Sequence, residues 1–127
     1  MNNLVIDTDI FIDYFRKYEK AERFFDGLRS AENIIYFSAI TEMELVSGEE
    51  CSNTDVKIRL LNFLINFNKV NVNNHIAVKA GDFKRVYGIK TADAIIAATA
   101  FVMKADLITR NINDYAKASG LKVKAPY

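Results

Sequence analysis

Three carboxylates lie close together near the start of the chain, directly after a short apolar run. The run Leu4–Ile6 leads into Asp7, and Asp9 and Asp13 follow within six residues. Carboxylates in this position can cap a helix, belong to a solvated surface or bind a cation. Carboxylate ligands without histidine or cysteine suit a hard divalent ion such as Mg²⁺ or Mn²⁺. Such an ion can activate water for attack on a phosphodiester.

Other acids follow apolar segments later in the chain. Asp93 lies in the first turn of the helix predicted over TADAIIAATA, Asp114 follows the apolar run of DLITR, and Glu44 lies inside the helix predicted over AITEMELVSGEE. Sites in open α/β sheets form at the carboxyl ends of the strands. We therefore expect these acids to converge on Asp7. Each acid also has a structural interpretation, since Asp93 at a helix start complements the helix dipole and Asp9 is expected to cap the first helix.

Helical spacing favours Glu44 over Glu42 as the glutamate that points inward. Ile40, Met43 and Glu44 share one face of the predicted helix. Glu42 is two residues away from Glu44 and points nearly opposite. An acid on a partly apolar face needs a partner, and a cation is one candidate.

The composition excludes several other chemistries. The 127 residues include one cysteine, Cys51, and one histidine, His75, so the chain cannot supply the His and Cys cluster of a zinc site. Nothing local supports a Cys–His dyad. A lone cysteine fits a cytoplasmic protein. No apolar run approaches the ~20 residues of a membrane span, and the N-terminus lacks a signal-peptide pattern, so we expect no membrane association.

Strand-like and helix-like segments alternate along the chain. The predicted strands are LVI, NIIYFS, KVNV, DLITR and LKVK. The predicted helices are IFIDYFRKY, EKAERFFDGLRSAE, AITEMELVSGEE, TDVKIRLLNFLINFN, HIAVKAGDFKRVYG, TADAIIAATAFVMKA and NDYAKASG. This alternation predicts an α/β fold, with a short parallel sheet and helices on both faces. The chain has no repeat and no linker, so we expect a single domain over residues 1–127.

Four segments in order resemble the PIN-domain family, and most closely the VapC-type toxins of prokaryotic toxin–antitoxin pairs. They are VIDTDIFID, SAITEMELVSG, TADAIIAATA and LITRNINDY, and the resemblance covers nearly the whole chain. It implies a three-layer PIN-like fold and an Mg²⁺- or Mn²⁺-dependent endoribonuclease that uses a cluster of acids. It also implies an RNA substrate and a small cognate antitoxin as partners.

The resemblance also implies which acids are catalytic and bind the metal. Asp7 matches the acid that closes the first strand, Glu44 the acid of ELVSG, and Asp93 the acid of DAIIAA. In TRNIND, Asn111 occupies a position that many relatives fill with Asp, and Asp114 is the nearest acid. We expect Asp114 to complete the site, and the choice between Asn111 and Asp114 stays open.

Three further residues have expected supporting roles. Thr8 and Thr109 support the acids through their hydroxyls, and Arg110 binds a phosphate of the substrate. In the reaction that we expect, water activated by the ion attacks an RNA phosphodiester, displaces the 3′ oxygen and leaves a 5′ phosphate. The alternatives are a non-catalytic PIN-fold module that binds RNA or protein, and an acid-cluster phosphatase with DTD as a nucleophile motif.

The helix TDVKIRLLNFLINFN is apolar on two faces, which predicts a homodimer. One stripe contains Leu60, Phe63 and Phe67, and a second stripe, roughly opposite, contains Ile58 and Ile65. One face can pack on the sheet, while the other needs a neighbouring helix or a second subunit. Relatives commonly pair, and we expect Phe63 and Phe67 to contribute to the interface.

Overall fold

The strands of the fold form one parallel sheet. A computed structural model describes residues 2–127. The strands in this part of the chain are β1 Asn2–Ile6, β2 Asn33–Ser38, β3 Asn68–Val70, β4 Asp106–Ile108 and β5 Val123–Lys124. All pairs are parallel, and the order across the sheet is β3-β2-β1-β4-β5. The predicted α/β fold with a parallel sheet is confirmed.

Helices connect the strands and cover both faces of the sheet. They are α1 Thr8–Phe15, α2 Glu19–Ser30, α3 Ala39–Val46, α4 Thr54–Leu64, α5 Asn74–Tyr87, α6 Thr91–Val102 and α7 Ile112–Ala116, with a 3₁₀ turn over Glu49–Ser52. Each corresponds to a predicted helix. Within residues 2–127, none of these helices has the length and apolar character needed to cross a membrane.

The central strand β1 divides the interior into two cores. Val5 packs in one core with residues of α5, α6 and α7, while Ile6 packs in the other with residues of α1, α2 and α4. Both residues are fully buried. A parallel strand covered on both faces must be apolar throughout, which explains the LVI run. The carboxyl end of this strand is therefore fixed tightly between two packed layers.

Aromatic rings fill the core beneath α1, α2 and α4. Phe63 stacks on Tyr14 with ring centroids 4.1 Å apart, and also meets Phe11 and Phe25. Phe67 meets Phe11, Phe25 and Phe63. Phe63 and Phe67 are half-buried and pack against this core, so their stripe faces inward on α4. Their expected part in a subunit interface stays a prediction.

Candidate active site

Asp7 joins the central strand to the first helix. Because β1 ends at Ile6 and α1 begins at Thr8, Asp7 is the N-cap residue of α1. Its carboxylate accepts hydrogen bonds from the Thr8 backbone N–H at 2.8 Å and from the Thr109 hydroxyl at 2.7 Å. The expectation that Asp9 caps this helix is wrong, because no loop separates the strand from the helix. The Thr109 side chain, just past β4, thus links the carboxyl end of β4 to that of β1.

The surroundings of Asp7 oppose its negative charge. The residue is only 3% exposed. Burial raises the pKa of the Asp7 carboxyl from 3.8 to about 7, and the negative charges of Asp9 and Asp93 act in the same direction. Hydrogen bonds from Thr109 and Thr8 favour the charged form and offset part of this effect. The ionised form of Asp7 is therefore in an unfavourable environment, and a nearby cation would stabilise it.

Asp7→Asn is expected to gain stability over the wild type as the pH rises. A carboxyl whose pKa is raised in the folded state stabilises the fold below its ordinary pKa of 3.8, and this contribution is lost as the pH rises through about 7. The loss amounts to roughly 1.4 kcal/mol for each unit of pKa difference. Asn does not titrate, so thermal unfolding in EDTA at pH 5 and pH 8 checks the difference. A melting-temperature gap that is equal at both pH values contradicts the raised pKa.

Glu44, in α3, is connected to the end of β1 by a hydrogen bond from Thr8. The Thr8 hydroxyl donates to Glu44 Oε1 at 2.7 Å, and the Thr41 hydroxyl lies 2.9 Å from the hydroxyl of Thr8. Glu42 instead pairs with Lys69 at 3.1 Å, so the two glutamates have different partners, in line with the helical spacing. Glu44, rather than Glu42, is the glutamate connected to the end of β1.

The inward face of α3 differs from the one that the sequence predicts. Thr41 and Leu45 are the buried residues of this helix, whereas Met43 is more than half exposed. The Ile40–Met43–Glu44 face is therefore not the core face. Glu44 is half-buried at its boundary, where a carboxylate can meet both the site and solvent.

Asp93 meets the site from the start of α6. The Tyr115 hydroxyl donates to Asp93 Oδ1 at 3.1 Å, and Tyr115 belongs to α7. The charge of Asp93 also contributes to the raised pKa of Asp7. The two acids predicted from separate segments, Asp7 and Asp93, therefore lie near each other at the carboxyl end of the sheet.

A second group of acids surrounds Arg110. Its Nε atom lies 2.8 Å from Asp13 Oδ2 and 4.0 Å from Asp9 Oδ2, and its backbone N–H donates to Asp9 Oδ2 at 3.1 Å. The Tyr127 hydroxyl also donates to Asp13. Burial raises the pKa of Asp9. No local pattern in the sequence indicates that Arg110 is the partner of Asp9 and Asp13, since it lies about a hundred residues away.

Asn111 and Asp114 lie at the edge of the site. Both are exposed. The backbone N–H of Asn111 donates to the Thr109 hydroxyl at 3.0 Å, and that of Asp114 donates to the Asn111 carbonyl at 3.2 Å. Within residues 2–127, no hydrogen bond or ion pair joins either side chain to Asp7, Glu44 or Asp93. The predicted role of each thus remains a prediction.

The donor set of the site suits a hard divalent cation. In the described part of the chain, no group of three or more Asp, Glu, His or Cys side chains forms a metal site as it stands. The acids nevertheless offer only oxygen ligands, which Mg²⁺ and Mn²⁺ prefer. Asp9 Oδ1 is a buried oxygen without a hydrogen-bond partner among the described residues. Together with the raised pKa of Asp7, these features indicate an excess of negative charge that a bound cation would balance.

Sequence comparison identifies the domain type. The model of the PIN domain matches residues 4–120. The chain belongs to the PIN-domain family. PIN domains generally use a divalent metal and are typically nucleases. No curated protein matches the sequence.

Solved structures of PIN-domain relatives have the same architecture. A chain from a toxin–antitoxin complex of Klebsiella pneumoniae has a TM-score of 0.82 and 32% identity, with 98% of each chain covered. A chain of VapBC-1 from nontypeable Haemophilus influenzae has a TM-score of 0.81 and 21% identity, again over 98% of each chain. A chain of FitAcB from Neisseria gonorrhoeae has a TM-score of 0.76 and 22% identity over 97% of each chain. The resemblance to VapC-type toxins is confirmed.

Proposed function

We propose that this PIN domain is a metal-dependent endoribonuclease and the toxin of a type II toxin–antitoxin pair. The observation that carries the proposal is the burial of the Asp7 carboxylate at the end of β1, where it is 3% exposed. Burial and the negative charges of Asp9 and Asp93 raise its pKa. Burying so much negative charge is costly unless a cation balances it. Membership of a family whose members are typically nucleases supports the same function.

The acids of the site have the role of holding the ion. Asp7, Glu44 and Asp93 would hold Mg²⁺ or Mn²⁺, and Asp114 would complete the ligand set, with Asn111 as the alternative. A bound ion of this kind lowers the pKa of water and neutralises negative charge on a phosphate. Each acid must be ionised to bind the ion, so the hydroxyl donors around them favour the binding form.

The neighbouring side chains orient the acids and the RNA. The Thr109 hydroxyl holds Asp7, and the Thr8 hydroxyl holds Glu44. The Arg110 side chain is nearly half exposed and uses only Nε on Asp13, so its remaining N–H groups are donors for an RNA phosphate. Hydrolysis in this site displaces the 3′ oxygen of the scissile bond and leaves a 5′ phosphate.

The proposal that a small antitoxin is the protein partner is supported by a groove beside the site. Its volume is about 950 Å³, and it extends between α1, α3 and α4 as far as Glu44. Apolar side chains such as Phe15 and Leu60 line it together with the charged Arg16 and Arg59. An antitoxin segment in this groove would end next to the acids and block RNA. The relative from Klebsiella pneumoniae was solved as a toxin–antitoxin complex, which supports this partner.

We also propose that the protein acts in the cytoplasm as a homodimer. The outer face of α4 supports pairing, since Ile58 and Ile65 are exposed there while the opposite face is in the core. Exposed isoleucines in one helical segment favour contact with a second apolar surface.

RNA cleavage by the purified protein, freed of antitoxin, tests the proposed activity. We expect cleavage of RNA in Mg²⁺ or Mn²⁺, none in EDTA, and 5′-phosphate ends when the fragments are sequenced. A small phosphate monoester serves as the comparison substrate and should stay intact. Hydrolysis of the monoester without RNA cleavage would indicate a phosphatase. RNA binding without cleavage in either ion would indicate a non-catalytic module.

A further inference from the structure

Tyr115 places a polar group inside an otherwise apolar core. The residue is fully buried and belongs to the core that also contains Val5, Ala94 and Leu107. A phenylalanine would fill the same space without a hydroxyl. Because an unpaired buried hydroxyl is costly, its presence requires a hydrogen-bond acceptor. The acceptor is not a backbone carbonyl but Asp93 Oδ1, at 3.1 Å.

The hydroxyl of Tyr115 donates to one acid of the site and is influenced by the charge of a second. Burial raises the pKa of Tyr115 well above its usual range, and the charges of Asp7 and Asp93 and the hydrogen bond to Asp93 add to the effect. The phenol thus stays protonated and acts as a donor. Asp7 follows β1 and Asp93 lies in the first turn of α6, so the hydroxyl holds a carboxylate of one element near a carboxylate of another.

We propose that Tyr115 is a positioning residue whose hydroxyl fixes Asp93 beside Asp7 in the arrangement that binds the divalent cation. This inference rests on the proposed function. Two carboxylates near each other repel, and a donor that binds one of them offsets part of the repulsion and limits the rotation of that carboxylate. A partner of this kind typically changes metal affinity by about 10–100-fold when it is removed.

Tyr115→Phe separates the hydroxyl from the packing of the ring. Thermal unfolding is followed in titrations with Mg²⁺ and with Mn²⁺, without RNA, for the wild type and the variant. We expect the variant to need about tenfold more of either ion for the same rise in melting temperature. Tyr87→Phe is the matched control, since the Tyr87 hydroxyl accepts from the Ser119 backbone N–H, and among residues 2–127 no hydrogen bond joins it to an acid of the site. We expect it to bind both ions like the wild type.

A second variant tests whether the hydroxyl acts through Asp93. In an Asp93→Asn background, adding Tyr115→Phe should weaken ion binding much less than it does alone, because the two changes remove one interaction. RNA cleavage gives a further readout. At saturating Mn²⁺ the Tyr115→Phe variant should recover most of its turnover, as expected when only ion affinity has fallen.

The outcomes distinguish this inference from the proposed function. A wild type whose melting temperature ignores both ions overturns the metal site and the role of Tyr115 with it. A wild type that responds while Tyr115→Phe responds equally, or at lower ion concentrations, overturns the positioning role alone. A Tyr115→Phe chain that fails to fold even with Mn²⁺ also overturns it, because the hydroxyl would then serve the stability of the core.

Discussion

Asp7→Asn is expected to lower RNA cleavage by at least about a hundredfold, since removing even an outer partner of a metal site costs about 10–100-fold. The asparagine keeps the shape of the side chain but not the charge that holds the ion. Its carbonyl oxygen can still accept from the Thr8 backbone N–H, and the Thr109 hydroxyl can turn to accept from the new amide. Cleavage of a labelled RNA by the folded variant, in Mg²⁺ and Mn²⁺, measures the effect.

Glu42→Gln is the matched control for this experiment. Glu42 belongs to α3, like Glu44, but pairs with Lys69, and this exposed pair contributes little to stability. The variant should cleave RNA at close to the wild-type rate. Undiminished cleavage by Asp7→Asn would remove Asp7 from the mechanism, while a strong loss in Glu42→Gln would mean that the wrong glutamate is assigned to the site.

The sequence predicts the layout of the fold because each layer leaves a local pattern. The LVI run is apolar throughout since β1 is covered on both faces, and Asp7 directly after it marks the carboxyl edge of the sheet. The expected helices and strands are all present, with boundaries shifted by a few residues at their ends. Local spacing and the geometry of parallel sheets therefore predict the order of the elements and the sheet edge at which Asp7 lies.

The details of the site depend on contacts between distant residues. Asp9 was expected to cap a helix, but its backbone partner is Arg110, and no local pattern connects the two. Tyr115 follows Asp114 in a short helix, and nothing in the sequence indicates that its hydroxyl rather than the neighbouring carboxylate faces Asp93. Which hydroxyls orient which acids is thus a consequence of tertiary packing, which sequence periodicity does not encode.

The two apolar faces of α4 show the same limit and lead to the last prediction. Periodicity identified both faces but not which one is buried. Phe63→Asp should unfold the domain, because it removes a ring stacked on Tyr14 and introduces a charge among aromatic rings, at a cost of at least about 3 kcal/mol. Ile65 is 77% exposed, so Ile65→Asp should stay folded. Circular dichroism and thermal unfolding of the two variants measure this contrast.

Light scattering of the same proteins tests the proposed dimer. The wild type should be dimeric at micromolar concentration, whereas Ile65→Asp should be a folded monomer, because a carboxylate on the outer face cannot be buried against a second subunit without a partner. A monomeric wild type would defeat the dimer itself. A dimer that persists in Ile65→Asp would exclude the outer face of α4 and require the subunits to pair through another surface. A folded Phe63→Asp would contradict the packing of Phe63 among aromatic rings, from which the inner face of α4 is assigned.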